Sequence, residues 1–286
     1  VMSILFFLAY TIYATPFVAF GYEMTPDYHE RTRLHAFANT VGQLAWLGVP
    51  WFYAIMSSSL FRDSVHGART LAVAVGVAVA LLGMVPALFL RERQVLEPVQ
   101  KTAKSVWQNM IEFFAGIKTT FKCKPFVQLC GATFLVFNGF QMVASFSYFI
   151  IVFYLFKGDY GATGTWPAWF STISAMCTAF LIIPVITWMS NRWGKRNAFL
   201  VSTAISIIGY VLKWWGFNPG NPWLMFMPLP FMVFGIGGLF TLMMSMTADV
   251  CDLDELNNGM PRKEGTFGAI YWWMVKLGQG LALVLG

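Results

Sequence analysis

The run TFGAIYWWMVKLGQGLALVLG, residues 266–286, decides the fold class of this chain. It is long enough to cross a bilayer as a helix, which takes about 20 mainly apolar residues. Its one charged residue, Lys276, lies about 18 Å along such a helix from Glu264, near the middle of the hydrocarbon core. A charge at that depth is costly and commonly marks a substrate or ion pathway. The run therefore predicts a membrane helix with a functional residue inside it.

The rest of the chain has the composition of a polytopic membrane protein. Of its 286 residues, 57% are hydrophobic and 11% are charged, whereas a soluble domain has about 25% charged residues. Backbone polar groups must be paired inside the bilayer, and no alternating barrel pattern is present, so the apolar runs predict helices. We expect an all-α membrane protein with about eight transmembrane helices, in the runs 1–22, 34–56, 70–90, 126–156, 168–190, 197–216, 223–248 and 266–286.

Basic residues are divided unevenly between the loops. One alternate set of loops holds fourteen Lys and Arg residues, and the other holds three, namely Arg62, Arg69 and Lys157. Cytoplasmic loops are enriched in Lys and Arg, so the first set is predicted to face the cytoplasm. Because the sequence begins and ends within apolar runs, we interpret it as an internal fragment of a multi-pass protein of the cell membrane.

Motifs for other functions are missing from the sequence. It contains no phosphate-binding loop, dinucleotide fingerprint, nucleophile elbow or pair of catalytic carboxylates. Its four cysteines and three histidines lack metal-type spacing, so we expect no metal site, no cofactor and no enzyme activity. The net charge of +6 is explained by the loop asymmetry, and no nucleic-acid partner is expected.

Residues 91–125 form a long basic connector between the third and fourth apolar runs. Apolar residues recur in it at helical spacing, with charged residues on the other faces, which predicts an amphipathic helix on the cytoplasmic membrane surface. We expect it to link residues 1–90, the last three helices of one half, to residues 126–286, the first five helices of the other. A regulatory role for the connector is an open alternative.

Two stretches resemble a known transporter family. They are GYEMTPDYHERTRL, residues 21–34, and ADVCDLDELNNGMPRKEGTFGAIYWWMVKLGQG, residues 248–280. Both resemble the glycoside–pentoside–hexuronide cation symporters, the melibiose carrier family of the major facilitator superfamily. The loop NRWGKR, residues 191–196, resembles the general facilitator motif. The resemblance implies a twelve-helix major facilitator fold, and a coupling cation, sodium or proton, bound mainly by a helix absent from this sequence.

The sequence departs from the family pattern at two positions. Ala14 falls where the melibiose carrier has an aspartate used in cation and sugar binding, and Asn39 falls where the family has an arginine near the sugar. These two departures argue against melibiose-like recognition and against sodium coupling through the helix that contains Ala14.

Lys276 is the centre of the predicted substrate site. Aromatic rings, a cation and amides on one face suit a sugar, which has an apolar ring face and many hydroxyls. Each polar residue inside a helix could equally bond a neighbouring helix. By contrast, Lys213 lies near the outer surface and is predicted to snorkel without function. The candidate substrate-binding residues are Lys276, Trp272, Trp273, Gln279, Asn39, Gln43, Tyr10, Tyr13, Asn138 and Gln141.

A second set of charges is predicted at the cytoplasmic ends of the helices. Such charges are usually solvated, but the resemblance favours a lock that holds the inner gate shut. It implies a pair between Arg31 and Glu264, with Arg196 and Asp249 as a second pair. The candidate gate residues are Arg31, Glu264, Arg196, Asp249, Asp252 and Arg262.

The sequence therefore predicts a secondary transporter that moves a sugar, glycoside or uronide together with a cation by alternating access. The alternatives are a major facilitator carrier for a lipid or organic anion, and a receptor or structural protein that transports nothing. The expected partners are a small-molecule substrate and the lipid bilayer, and the protein is expected to function as a monomer.

Overall fold

A computed structural model describes residues 2–25, 27–56, 58, 60–89, 116–117, 120–258 and 264–285. Within these ranges the chain is helical and forms no strand. Its helices are α1 Met2–Glu23, α2 Tyr28–Gly48, α3 Phe52–Met56, α4 Ser64–Phe89, α5 Lys124–Phe149, α6 Tyr160–Thr163, α7 Trp166–Met176, α8 Ile183–Trp193, α9 Lys195–Gly216, α10 Leu229–Gly238, α11 Met244–Asn258 and α12 Glu264–Leu285.

Wider and tighter helical turns join several of these helices into longer rods. The π-helical segments are Ile150–Leu155 after α5, Cys177–Ile182 between α7 and α8, and Leu239–Met243 between α10 and α11. Short 3₁₀ turns are Val49–Trp51 and Pro222–Phe226. The π segments at 177–182 and 239–243 both pack against α2, so the irregular turns lie where the N-terminal helices, α1–α4, meet the C-terminal helices, α5–α12.

Six rods in the described part of the chain are long and apolar enough to cross a membrane, which confirms a multi-pass membrane protein. Two predicted runs are not among the six. One is 34–56, on α2 and α3, where polar side chains and Pro50 interrupt the apolar pattern. The other is 266–286, on α12, which contains Lys276 and Gln279. The described spans are Leu5–Tyr22, Ser64–Pro86, Lys124–Leu155, Tyr160–Trp193, Lys195–Gly216 and Pro222–Asn257.

The predicted division of the chain at residues 91–125 stays a prediction. Most of this connector, with its predicted amphipathic helix, lies outside the described residues.

Aromatic side chains fill the core where α1 meets α5 and α12. Tyr22, Phe126, Phe267 and Tyr271 are each fully buried there. The rings of Phe126 and Phe267 meet edge to face at 4.7 Å between centroids, an arrangement that aromatic pairs favour. This packing fixes α12, and with it Lys276, against α1.

The side chain of Lys213 differs from its sequence prediction. It is 8% exposed, and its Nζ donates a 2.6 Å hydrogen bond to Ser147 Oγ on α5. The amine also lies 4.8 Å from the centroid of the Phe217 ring. The prediction that it snorkels to the surface is therefore wrong, because α5 supplies a hydroxyl partner inside the bundle. Trp214 and Trp215 beside it are exposed, as expected of an aromatic belt.

Glycines allow α9 and α10 to pack closely. A Cβ atom added at Gly209 would lie 2.5 Å from the Met232 backbone nitrogen and 2.7 Å from the Phe231 carbonyl carbon. Backbone atoms cannot rotate away as a side chain does, so a larger residue must push the two helices apart. Small residues at such positions are a general feature of helix contacts in membranes.

We expect Gly209→Ala to destabilise the protein by about 1–3 kcal/mol, the usual cost of overpacking. The matched control is Gly131→Ala on α5, where a Cβ would meet nothing within 4 Å. Alanine favours a helix over glycine by about 1 kcal/mol, so the control is expected to be neutral or stabilising. The measurement is the thermal denaturation midpoint of the purified full-length protein. Equal midpoints for the two variants would contradict the close packing.

Candidate functional site

Lys276 lines a cavity of about 270 Å³ between α1 and α12. Its Nζ lies 5.4 Å from the centroid of the Tyr10 ring, within the range of a cation–π contact. The two helices run antiparallel, so residues early in α1 face residues late in α12. The cavity is lined by Tyr10, Thr11, Ala14, Thr15, Val18, Gly268, Ala269, Trp272, Trp273 and Lys276.

Gly268 sets the width of one end of this cavity. A Cβ there would lie 3.1 Å from Tyr22 Cε2 and 3.5 Å from Val18 Cγ1. The helices therefore approach closely at the predicted cytoplasmic end of α1. The cavity extends from this contact to Tyr10 and Lys276, about two helical turns further along each helix.

Trp272 contributes a hydrogen-bond donor that has no protein partner. Its indole Nε1 is buried and makes no hydrogen bond within the described part of the chain. The ring stacks on Phe240 at 6.2 Å between centroids, which fixes the plane of the indole. A buried N–H without a partner costs free energy comparable to a lost hydrogen bond.

Four of the predicted substrate residues line the cavity: Lys276, Trp272, Trp273 and Tyr10. Tyr13 does not, because its hydroxyl donates a 3.1 Å hydrogen bond to the Gly83 carbonyl of α4. Its ring stacks on Phe17. The expectation that both tyrosines share one cavity is therefore wrong for Tyr13.

Of the polar residues of α2, Asn39 bonds a C-terminal helix instead of the cavity, and Gln43 bonds Asn39 within α2. Asn39 Nδ2 donates to Thr241 Oγ1 at 3.1 Å, and Gln43 Nε2 donates to Asn39 Oδ1 at 3.2 Å. This is the helix-contact alternative that the sequence left open. The remaining predicted residues, Asn138, Gln141 and Gln279, lie outside the cavity lining.

Charged residues at the predicted cytoplasmic end form a cluster across the interface between the N-terminal and C-terminal helices. Arg31 on α2 is 3% exposed. Its Nη1 lies 3.3 Å from Asp249 Oδ1 and also bonds Asp252, both on α11. Burial works against the Arg31 charge, but the bond and negative charge of Asp252, followed by those of Asp249, raise the pKa of Arg31.

Lys195 is the cluster member that sequence reasoning missed. Its Nζ lies 2.6 Å from Asp249 Oδ2 and 3.6 Å from the centroid of the Tyr28 ring, and its side chain is 1% exposed. The predicted pair of Asp249 with Arg196 is therefore wrong by one residue, because α9 turns Lys195 inward and leaves Arg196 exposed. No pattern in the sequence distinguishes these two adjacent basic residues.

The start of α2 is fixed by Asp27, which caps the helix. Its carboxylate accepts hydrogen bonds from the backbone N–H groups of Glu30 at 2.8 Å and His29 at 2.9 Å. The Glu30 bond is the main reason that the pKa of Asp27 is lowered. This cap fixes where α2 begins, and Tyr28 and Arg31 lie in its first turn.

Two predicted gate residues cannot be placed. Arg262 lies outside the described residues, and nothing is described of the Glu264 side chain at the start of α12. The predicted pair of Arg31 with Glu264 therefore stays a prediction, beside the observed bonds of Arg31 to Asp249 and Asp252.

Hydroxyl groups continue the contact along α2. Thr32 Oγ1 and Ser245 Oγ lie 3.2 Å apart, and Trp51 Nε1 donates to Thr172 Oγ1 at 2.9 Å near the other end of the helix. Together with the bond of Asn39 to Thr241, these bonds join α2 and the 3₁₀ turn after it to the C-terminal helices at three depths.

A larger, more open groove of about 850 Å³ lies between α2 and α8. Its lining includes Glu30, Arg33, Phe37, Ile183 and Pro184. It is lined by neither Lys276 nor the charge cluster. We take the smaller cavity as the candidate substrate site because it contains Lys276, a charge inside a membrane helix, and such charges mark substrate or ion pathways.

The sequence of this chain matches a known transporter family and two curated relatives. The family described as MFS/sugar transport protein matches residues 1–285. The chain is 29% identical over 103 residues to an isoprimeverose transporter of Lactiplantibacillus pentosus, covering 36% of this chain and 21% of the relative. It is 26% identical over 211 residues to an uncharacterized symporter of Synechocystis sp., covering 72% of this chain and 37% of the relative. The chain therefore spans well under half the length of these relatives.

Proposed function

The chain belongs to the MFS/sugar transport protein family, and we propose that it is part of a cation-coupled symporter that carries a sugar by alternating access. Membership in this family and the six membrane-spanning rods support a multi-pass membrane protein, and the family favours transport over enzyme activity. The sugar, the coupling cation and the direction of coupling are the proposed part.

The cavity at Lys276 is the observation that carries this proposal. It lies between α1 and α12, one helix on each side of the predicted division, which is where a carrier with two rocking halves binds its substrate. Tyr10, Trp272 and Trp273 give it aromatic faces for a sugar ring, and the Lys276 ammonium gives it donors for hydroxyl oxygens.

The charge cluster supports alternation between two states. Arg31 from α2 and Lys195 from α9 both bond Asp249, so three helices are tied at one end. Buried ion pairs of this kind are strong only when their geometry is intact. Separating the helices therefore breaks the cluster as a unit, which suits a gate with a closed and an open position.

The test is uptake of labelled sugars by proteoliposomes that contain the full-length protein. We expect accumulation above equilibrium when a sodium or proton gradient is imposed, and only equilibration when both gradients are collapsed. Liposomes with no protein are the control. Sugar entry that is independent of both gradients would contradict coupling. If none of the tested mono- or disaccharides enters, sugar transport itself would be contradicted.

A further inference from the structure

His35 is buried beside the charge cluster and has a ring nitrogen without a protein partner. It lies on α2, four residues after Arg31 and so one turn further along the same face of the helix. The residue is 8% exposed, and its Nε2 makes no hydrogen bond within the part of the chain that the structure describes. Its ring centroid lies 5.9 Å from that of Tyr22 on α1. Neither the ion pairs of the cluster nor the lining of the substrate cavity includes this histidine.

The charges near His35 favour its neutral form while the cluster is intact. Two cations, Arg31 and Lys195, bond two carboxylates, so these four charges sum to zero. Burial, followed by the positive charges of Lys195 and Arg31, opposes a further positive charge on the imidazole ring. The titratable groups of this region are Tyr22 on α1, Arg31 on α2, Lys195 on α9, and Asp249 and Asp252 on α11.

Protonation would also change the hydrogen bonds that the His35 ring needs. A neutral imidazole has one N–H donor and one acceptor nitrogen, whereas the protonated ring has two donors and no acceptor. In the closed cluster, protonation would place a charged donor at Nε2, where no acceptor lies within the described residues. Burying an unpaired charge is costly, so the closed arrangement holds His35 neutral.

Separation of the helices reverses these conditions. His35 and Arg31 lie on α2, whereas Lys195 and Asp249 lie on α9 and α11, across the interface. Once the helices separate, water reaches the ring, and the Lys195 charge is no longer beside it. A solvated histidine takes up a proton near pH 6.5. Below this pH the open state binds one proton more than the closed state, so acid favours the open state by linkage.

We propose that His35 is a proton-binding site of the cytoplasmic gate, neutral when the gate is closed and protonated when it opens, so that acid on the cytoplasmic side opens the gate. This inference rests on the proposed function, because the gate belongs to the same carrier. The proton at His35 is separate from the predicted coupling cation, which acts at Lys276. For a histidine of ordinary proton affinity, the ratio of open to closed protein rises about tenfold between about pH 7.5 and about pH 5.5.

The test is the rate at which an impermeant maleimide alkylates Cys251 from the cytoplasmic side. The full-length protein is reconstituted in liposomes, and the pH of that side is varied from about 7.5 to about 5.5. Cys251 lies on α11 and is 4% exposed, so its reaction reports opening. Each wild-type rate is divided by the rate of His35→Gln at the same pH, because the division removes the pH dependence of the thiol itself. We expect this ratio to rise about tenfold as the pH falls.

Two further variants accompany this measurement. His35→Phe is also unable to take up a proton and keeps an aromatic ring beside Tyr22, so division by its rates is expected to give the same rise. His29→Gln is the matched control. His29 lies in the first turn of the same helix and is exposed, and its Nδ1 lies 3.1 Å from Asn191 Oδ1. This control is expected to keep the pH response of the wild type.

A ratio that stays constant across this pH range for both neutral variants would overturn the proton site at His35. Loss of the pH response in His29→Gln would overturn it as well. No sugar takes part in the measurement, so a constant ratio leaves the proposed sugar transport standing. If sugar uptake fails while the ratio rises, the proposed substrate is overturned and the proton-sensitive gate is retained.

Discussion

Asp249→Asn is expected to open the predicted cytoplasmic side of the protein and to slow gradient-driven uptake severely. The substitution keeps the size of the side chain and removes the charge that faces both Arg31 and Lys195. Lys195 is 1% exposed and Arg31 is 4% exposed at their side chains, so neither charge can turn to solvent while the interface stays closed. Leaving a buried charge without its partner costs about 3–5 kcal/mol.

This cost destabilises mainly the closed state, because water can hydrate the charged groups of Arg31 and Lys195 once the helices separate. At about 1.4 kcal/mol per factor of ten, the ratio of closed to open protein falls by a factor of about one hundred or more. The thiol of Cys251 reports this change, because Cys251 lies on α11 between the two aspartates and is 4% exposed. We expect its alkylation from the cytoplasmic side to become much faster in the variant, as measured by peptide mass spectrometry.

A double substitution separates a broken pair from general misfolding. In Asp249→Asn with Lys195→Met, the buried amine disappears together with its counter-charge, and Arg31 keeps Asp252. Replacing a buried ion pair by uncharged groups is often neutral, so closure and uptake are expected to recover in part. Arg196→Met, at the exposed neighbour, is the control and is expected to behave as the wild type. A double variant no better than Asp249→Asn alone would show that the contact with Lys195 is not what holds the gate.

The sequence predicted the membrane fold because apolar length and backbone pairing leave few alternatives. It also placed Arg31, Asp249 and Asp252 in one cluster, although only through a family resemblance. It did not predict that Lys195 and Lys213 are buried, and the physical reason is the same for both. Whether a lysine faces a neighbouring helix or the surface depends on the rotation of its helix, and a sequence pattern does not fix that rotation when both sides of the helix are apolar.

The polar residues of the candidate site show the same limit. Asn39, Tyr10 and Tyr13 all lie inside helices, and the sequence alone does not show which of them lines a cavity. Asn39 bonds Thr241 and Tyr13 bonds Gly83, whereas Tyr10 faces Lys276. Only the partner across the helix contact distinguishes them. Lys276 was identifiable because a charge at mid-depth has few structural uses, and that argument does not depend on rotation.

Lys276→Ala is expected to abolish concentrative uptake while the protein still folds and inserts. The side chain is exposed toward the cavity and shows no ion pair within the described ranges, so its loss removes a desolvation cost and leaves little to repack. Function is affected because the substrate loses its charged donor. We predict in addition that acidic residues of the full-length protein face Lys276 when the cavity is empty, and that cation binding to them releases the lysine for substrate.

The conservative replacement Lys276→Arg tests whether a positive charge alone is sufficient at this position. Lys276→Arg keeps the charge but places it in a wider, planar group, so partial uptake at best is expected. Leu277→Ala, at the next position of α12 and outside the cavity lining, is the control and is expected to accumulate sugar normally. Uptake is measured at equal amounts of protein in the membrane, with the gradient imposed and collapsed. If Lys276→Ala still concentrates substrate to the wild-type level, the lysine has a structural role only, and α12 is not the helix that couples the cation to the sugar.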